Sequence, residues 1–193
     1  MPKVNWNPLD PNGSHRCYEL SVGDEIERQM RQDPGFLRSL FRHSIDDRAI
    51  LESLTGPEMR RVTTERPTWK GASGYDHQID ESFTADNDAV IVLVECKRWS
   101  ECLDILAVST CLVRVMDVAD ALRGSTVLGM IVTTQGVQGR VGRVEEHCDA
   151  SAKLIAYFCR KGYPVTVQWL PDMGQPYSGT VRPGRSQCVD DGA

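Results

Sequence analysis

An α/β fold, with a central mixed sheet flanked by helices, is the class this sequence predicts, and three observations carry it. Helical signals run from Asp24 to about Leu54. Three strand-like runs joined by short turns follow, and helical and buried-strand runs then alternate as far as VTVQWL. That order, helices, three meandering strands, helix, strand, helix, strand, describes a sheet covered on both faces by helices.

The opening segment is rich in Pro, Asn, Gly and Asp without a period, which predicts an irregular arm over 1–22. Gly23-Asp24-Glu25 is placed to open a helix, with acids at its positive end. Asp33-Pro34 reads as an N-cap followed by Pro at the first helical position. Ser44 and Asp47 resemble a capping box before AILESL, which Gly56-Pro57 stops. RRVTTERPTW predicts a strand broken at Pro67, GASG a turn, and YDHQIDESF a second strand completing a hairpin.

The ADND turn, residues 85–88, leads into the third strand, VIVLVECK. Ser100 is placed to cap a long helix ending at Gly124, with Leu103, Leu106, Val113, Met116 and Leu122 as its apolar positions. VLGMIVTT has the length and composition of a buried strand. A last helix follows, with Cys148, Ala152, Ile155, Ala156 and Cys159 on one face and Gly162 past its end. The expected organisation is the arm over 1–22, a single domain over 23–173 and a loose tail over 174–193.

The chain has 193 residues with 22 basic and 27 acidic side chains, a net charge of −5. A mildly acidic chain exerts no general pull on nucleic acid, so any such contact needs a local basic surface or a partner. Seven cysteines without a C-x-x-C pair indicate neither a disulfide framework nor a zinc knuckle. The first residues lack the apolar core of a signal peptide, and no run approaches the roughly 18 apolar residues of a membrane span. A protein of a reducing cytoplasm, without membrane attachment, is expected.

The chemistry concentrates where the second and third strands meet. Side chains alternate along a strand, so Ile91, Leu93, Glu95 and Lys97 share one face while Val92, Val94 and Cys96 share the other. Counting back across the ADND turn puts Asp80 beside Glu95 on the same face. Two neighbouring carboxylates raise each other's pKa, and a divalent cation relieves them. Magnesium takes one or two carboxylates together with water and phosphate oxygens, which suits Asp80 and Glu95. Lys97 is placed to orient or deprotonate a water, so the outline is that of a phosphodiester-hydrolysing site.

With Asp80 in HQID, Glu95-Cys96-Lys97 in VLVECKRW and the segment IVTTQGVQGR, the sequence resembles the PD-(D/E)xK nuclease superfamily, in its restriction-endonuclease-like, Mrr-type branch. The resemblance spans about Ile50 to Leu170. It implies a restriction-endonuclease-like sandwich, an αβββαβ core with an extra helix and strand, acting as a metal-dependent DNA endonuclease in restriction or anti-phage defence.

By resemblance Asp80, Glu95 and the Cys96 carbonyl hold Mg2+, with Mn2+ as a substitute. Lys97 positions the attacking water, and Gln138 supports the site or touches the DNA backbone. An acid from the first helix, Glu52 or Asp47, completes the metal site in many family members. Family enzymes often cleave as dimers, so a homodimer or a larger defence complex is expected. Ile79 stands where the family has Pro, Val137 replaces an aromatic and Arg140 a small residue, and no segment of this sequence reads as a dedicated DNA-reading domain.

Each of these residues also has a plainer reading. Glu95 and Lys97 make an ordinary surface ion pair if the strand end is solvated, but burial after five apolar residues argues against that. His77 alternates away from Asp80 and reads as a packed or hydrogen-bonded histidine. Trp69 and Trp99 read as core or edge aromatics. Arg98 and Arg140 flank the proposed site and are the candidates for phosphate contacts, whereas other Lys and Arg residues are read as solvated. The rival functions are a junction resolvase or RNA nuclease on the same fold, and a non-catalytic interaction subunit of a nucleic-acid-processing complex.

Overall fold

The computed structural model describes residues 11–42, 44–54, 59–62, 66–85, 88–97, 105–133 and 144–169. The first element is a 22-residue helix, α1, Pro11–Gln32. It corrects the expected irregular arm: helix begins at Pro11 and runs through Gly23 rather than starting there. Tyr18, Val22 and Ile26 are all buried at four-residue spacing, and this stripe outweighs the weak helix preference of the glycines around it. Gly23 serves close approach, since a Cβ there would run into the Arg61 guanidinium.

Two short helices follow, α2, Phe36–Phe41, and α3, Arg48–Ser53. Asp33 does not cap α2 directly; its Oδ1 accepts from the Gly35 amide, and Gly35 is the N-cap. Nor is Ser44 the cap of α3. Asp47 is, its side chain accepting from the Ala49 and Ile50 amides.

The strands are β1 (Arg60–Arg61), β2 (Thr68–Lys70), β3 (Asp76–Gln78), β4 (Glu81–Thr84) and β5 (Val90–Lys97). The helix α4 (Ile105–Ala121), β6 (Thr126–Thr133), α5 (Val144–Arg160) and β7 (Val165–Trp169) complete the order. Both runs expected as single strands are divided. RRVTTERPTW supplies β1 and β2 on either side of Pro67, and YDHQIDESF supplies β3 and β4, parted at Ile79 and Asp80. β2 and β3 form a separate two-stranded hairpin, while the main sheet runs β1-β4-β5-β6-β7. β1, β4 and β5 pair antiparallel, and β5, β6 and β7 pair parallel. The fold is therefore α/β, with a mixed five-stranded sheet flanked by helices.

Alternation along β5 divides the interior in two. Val92, Val94 and Cys96 pack with Leu128, Met130 and Val132 under α1, α2 and α3. Ile91 and Leu93 pack with Val127, Ile131 and Val165 under α4 and α5. Two successive crossovers of the same hand, each stepping one strand along the sheet, put α4 and α5 on a common face.

The buried stripe of α4 is Ala107, Val108, Cys111, Leu112, Val115 and Val118. The expected one is corrected in part: Leu106 is 70% and Val113 57% exposed, while Leu122 packs against the same core. This helix carries apolar residues around its whole circumference, so two stripes have helical spacing, and the one with smaller side chains lets the helix lie close to the sheet. In α5, Ser151 is buried and Leu154, Ile155 and Phe158 pack on the core, while Ala156 is exposed and the side chain of Cys148 lies outside the described ones. Among the described residues no helix is long and apolar enough to cross a membrane.

Candidate active site

The register of β4 against β5 starts with Glu81 opposite Val94. Asp80 stands one residue before β4, next to Glu95, as counting from the turn predicts. Its position is fixed by a main-chain bond: the Cys96 amide donates to Asp80 Oδ2 at 2.7 Å. Burial, then the Glu95 carboxylate, push the Asp80 carboxyl up to about 6; Glu19 adds to the shift, while the Cys96 amide and Lys97 oppose it.

The Glu95 side chain is 3% exposed and both of its oxygens are engaged. Lys97 Nζ donates to Oε2 at 3.2 Å, as their shared strand face requires. Arg114 Nη1, reaching in from α4, donates to Oε1. A buried carboxylate without such partners would be costly, and two cations meet that need. Sequence reasoning missed Arg114, although it is the single basic residue of α4, set among buried apolar neighbours.

Glu52 and Asp47, named from the resemblance, both have other partners. Asp47 is occupied as the cap of α3, and Glu52 is half-exposed in a pair with Arg48. Besides Glu95, the acid whose charge acts on Asp80 is Glu19 of α1, which is buried. The helical stripe Tyr18, Val22 and Ile26 was the signal that would have found it. Nearby Arg61, read from sequence as solvated, is instead internal: Nε donates to Glu81 Oε2 at 2.7 Å and Nη1 to Asp24 Oδ1 at 2.8 Å.

Cys96 is fully buried on the α1 side of the sheet, and burial pushes its thiol well above the ordinary range. Its contribution to the site is therefore through the main chain. Gln138, Arg98, Arg140 and Trp99 lie outside the described residues. Trp69 packs on the α4 side core, and its Nε1 donates to Ser82 Oγ at 3.3 Å.

His77 has the packed, hydrogen-bonded place read for it. Its Nε2 lies 2.7 Å from Asp117 Oδ2 on α4. Asp117 also accepts from the Ser73 amide at 2.8 Å and the Ser73 hydroxyl at 2.6 Å. Those bonds from Ser73 and His77 hold the Asp117 carboxyl down at about 2. A Cβ at Gly71 would run into this carboxylate, so the hairpin loop closes around it only because Gly71 has none. Although Ser, His and Asp meet here, Ser73 bonds to the acid rather than to the imidazole, which is the wiring of a clamp and not of an activated nucleophile. The clamp fastens the β2–β3 hairpin to α4, and that hairpin delivers the chain to Asp80.

Among the described residues no group of three or more His, Cys, Asp or Glu side chains forms a metal cage. What is present is two carboxylates, one with a raised pKa caused in part by the other, in the oxygen-donor chemistry that suits a hard cation retaining its water. Carboxylate oxygens are donors of the kind magnesium takes, and both oxygens of Glu95 are here engaged by Lys97 and Arg114. Fold and site thus define an α/β sandwich with an acid pair and two cations at the end of its central strand. No family model matches the chain, and no curated protein or solved structure matches it either.

Proposed function

We propose that this chain is a magnesium-dependent endonuclease that hydrolyses DNA phosphodiester bonds, built on a restriction-endonuclease-like sandwich and acting in restriction or anti-phage defence. The observation that carries this reading is the convergence of Asp80, Glu95 and Lys97 at the end of β5, with the Cys96 amide fixing Asp80 against the strand. Asp80, Glu95 and the Cys96 carbonyl would hold the ion, and Mn2+ would substitute. Bound there, the metal supplies polarisation of a phosphoryl oxygen and acidification of a water.

The chain's own groups do the rest. Lys97, one fifth exposed, reaches solvent from a buried strand and presents a positive charge where a phosphate and an attacking water would lie. Glu95 keeps the ammonium in place. Gln138 keeps the supporting role that the family resemblance implies, and Arg98 and Arg140, which flank the site in sequence, keep the phosphate-contacting ones.

The test is cleavage of supercoiled and linear duplex DNA with Mg2+ by wild type, Asp80→Asn and Lys97→Ala. Loss of cleavage in both variants with the fold retained supports the proposal, and undiminished cleavage by both defeats it. Branched and RNA substrates in the same assay separate a junction resolvase or RNA nuclease from a duplex endonuclease.

One observation favours a second reading, a non-catalytic interaction subunit: Arg114 and Lys97 between them already neutralise Glu95. A folded wild type that neither cleaves nor binds magnesium would select that reading.

A further inference from the structure

We infer that Arg114 is an exchangeable counter-ion: it neutralises Glu95 while no divalent cation is bound, gives up Oε1 when one binds, and then offers its guanidinium to a backbone phosphate of the nucleic acid. This rests on the metal-dependent reading above and adds to it a residue and a sequence of events.

The carboxylate of Glu95 is too deeply buried to stay charged alone, so some cation must stand beside it in every state of the site. Two do, and they differ in their freedom to leave. Lys97 is two residues along the same strand, on the same face, and its ammonium stays near Glu95 whatever else enters. Arg114 comes from α4 on a long side chain that is 29% exposed, so its guanidinium has a route to water that a fully buried group would lack.

The form of the contact points the same way. Among the described residues Arg114 meets Glu95 through Nη1 alone, which leaves Nε and Nη2 of its fork outside the pair. A guanidinium held for structure favours the two-point grip that a carboxylate offers, and one-point contact leaves the geometry matched to a phosphate in reserve. Arg114 is also the one base on α4, so no neighbouring cation of the helix would take over its task.

Exchange makes opposite demands on the two ligands, and this separates it from a static ion pair. Titration calorimetry with MgCl2 on wild type, Arg114→Lys and Arg114→Met should show the methionine variant binding magnesium about tenfold more tightly than wild type, with lysine between. Duplex DNA binding, followed by fluorescence anisotropy on a Lys97→Met background to prevent cleavage, should strengthen on adding Mg2+. Arg114→Met should abolish that strengthening.

Equal or weaker magnesium binding by Arg114→Met, beside a wild type that binds magnesium and cleaves, overturns the exchange and leaves the nuclease reading standing. A wild type that binds no magnesium takes both down. Should Arg114→Met be unfolded in chelator, its circular dichroism on adding Mg2+ decides: recovery of the folded spectrum supports exchange, and none overturns it.

Discussion

The Cys96 amide donates to the Asp80 carboxylate, so the strand that carries Glu95 also holds the second acid in place. The bond uses main chain on one side and leaves the cysteine side chain on the opposite face of the sheet. Replacing Cys96 by Ala should therefore leave magnesium binding and cleavage close to wild type, at a stability cost of about 1 kcal/mol from the smaller core side chain. Parallel calorimetry and urea titration check this, and loss of metal binding in a folded Cys96→Ala protein would mean that the thiol itself is needed.

Asp80 ties stability to pH in a direction unusual for a carboxylate. Its folded value of about 6 lies above the ordinary 3.8, so between these the folded chain holds a proton that the unfolded chain has released. The stability it contributes is full below the unfolded value and is lost as pH rises through about 6. In chelator, wild type should lose on the order of 2 kcal/mol between pH 4 and pH 7 from this group, and Asp80→Asn should remove that slope. Urea titrations at a series of pH values measure both. The same proton competes with a cation, so magnesium affinity should fall below pH about 6.

The clamp around Asp117 behaves in the conventional sense. Its carboxyl is held at about 2, so the contribution is present above the unfolded value of 3.8 and lost as pH falls through about 2. Asp117→Asn should free the β2–β3 hairpin from α4 and expose the Ser73 amide to exchange. Hydrogen exchange would show faster loss at residues 71–78 with β5 and β6 unchanged, whereas unaltered exchange there would mean that packing alone seats the hairpin.

The two stripes of α4 differ sharply in what substitution does. Leu106→Gln, on the exposed side, should change stability by no more than about 0.5 kcal/mol. Leu112→Ala, fully buried, should cost about 2–5 kcal/mol. Chemical denaturation of the two variants compares the faces directly, and the reverse order of costs would restore the stripe read from sequence.

The parts legible in sequence were those governed by alternation and short turns. β5, its two faces, the meeting of Glu95 with Lys97 and the arrival of Asp80 all follow from a period of two and a tight connection. What sequence reading missed depended on contacts between elements. Gly23 looks like a helix start until Arg61 is seen packed over it. Arg114 and Glu95 lie 19 residues apart on different elements, and no local pattern joins them. On α4 the bulky residues were taken for the core, although the sheet favours the smaller ones beneath it.

The mixed pairing of the sheet also sets how much chain must be closed to make each contact of the site. β4 and β5 are joined by a short turn and close with little loss of chain entropy, whereas β6 reaches β5 only across the whole α4 crossover. The contact of Asp80 with the Glu95 strand therefore closes a shorter stretch of chain than the one that brings Arg114 to Glu95. Lys97 travels on the same strand as Glu95, so the acid pair carries one cation of its own and receives the second only from α4.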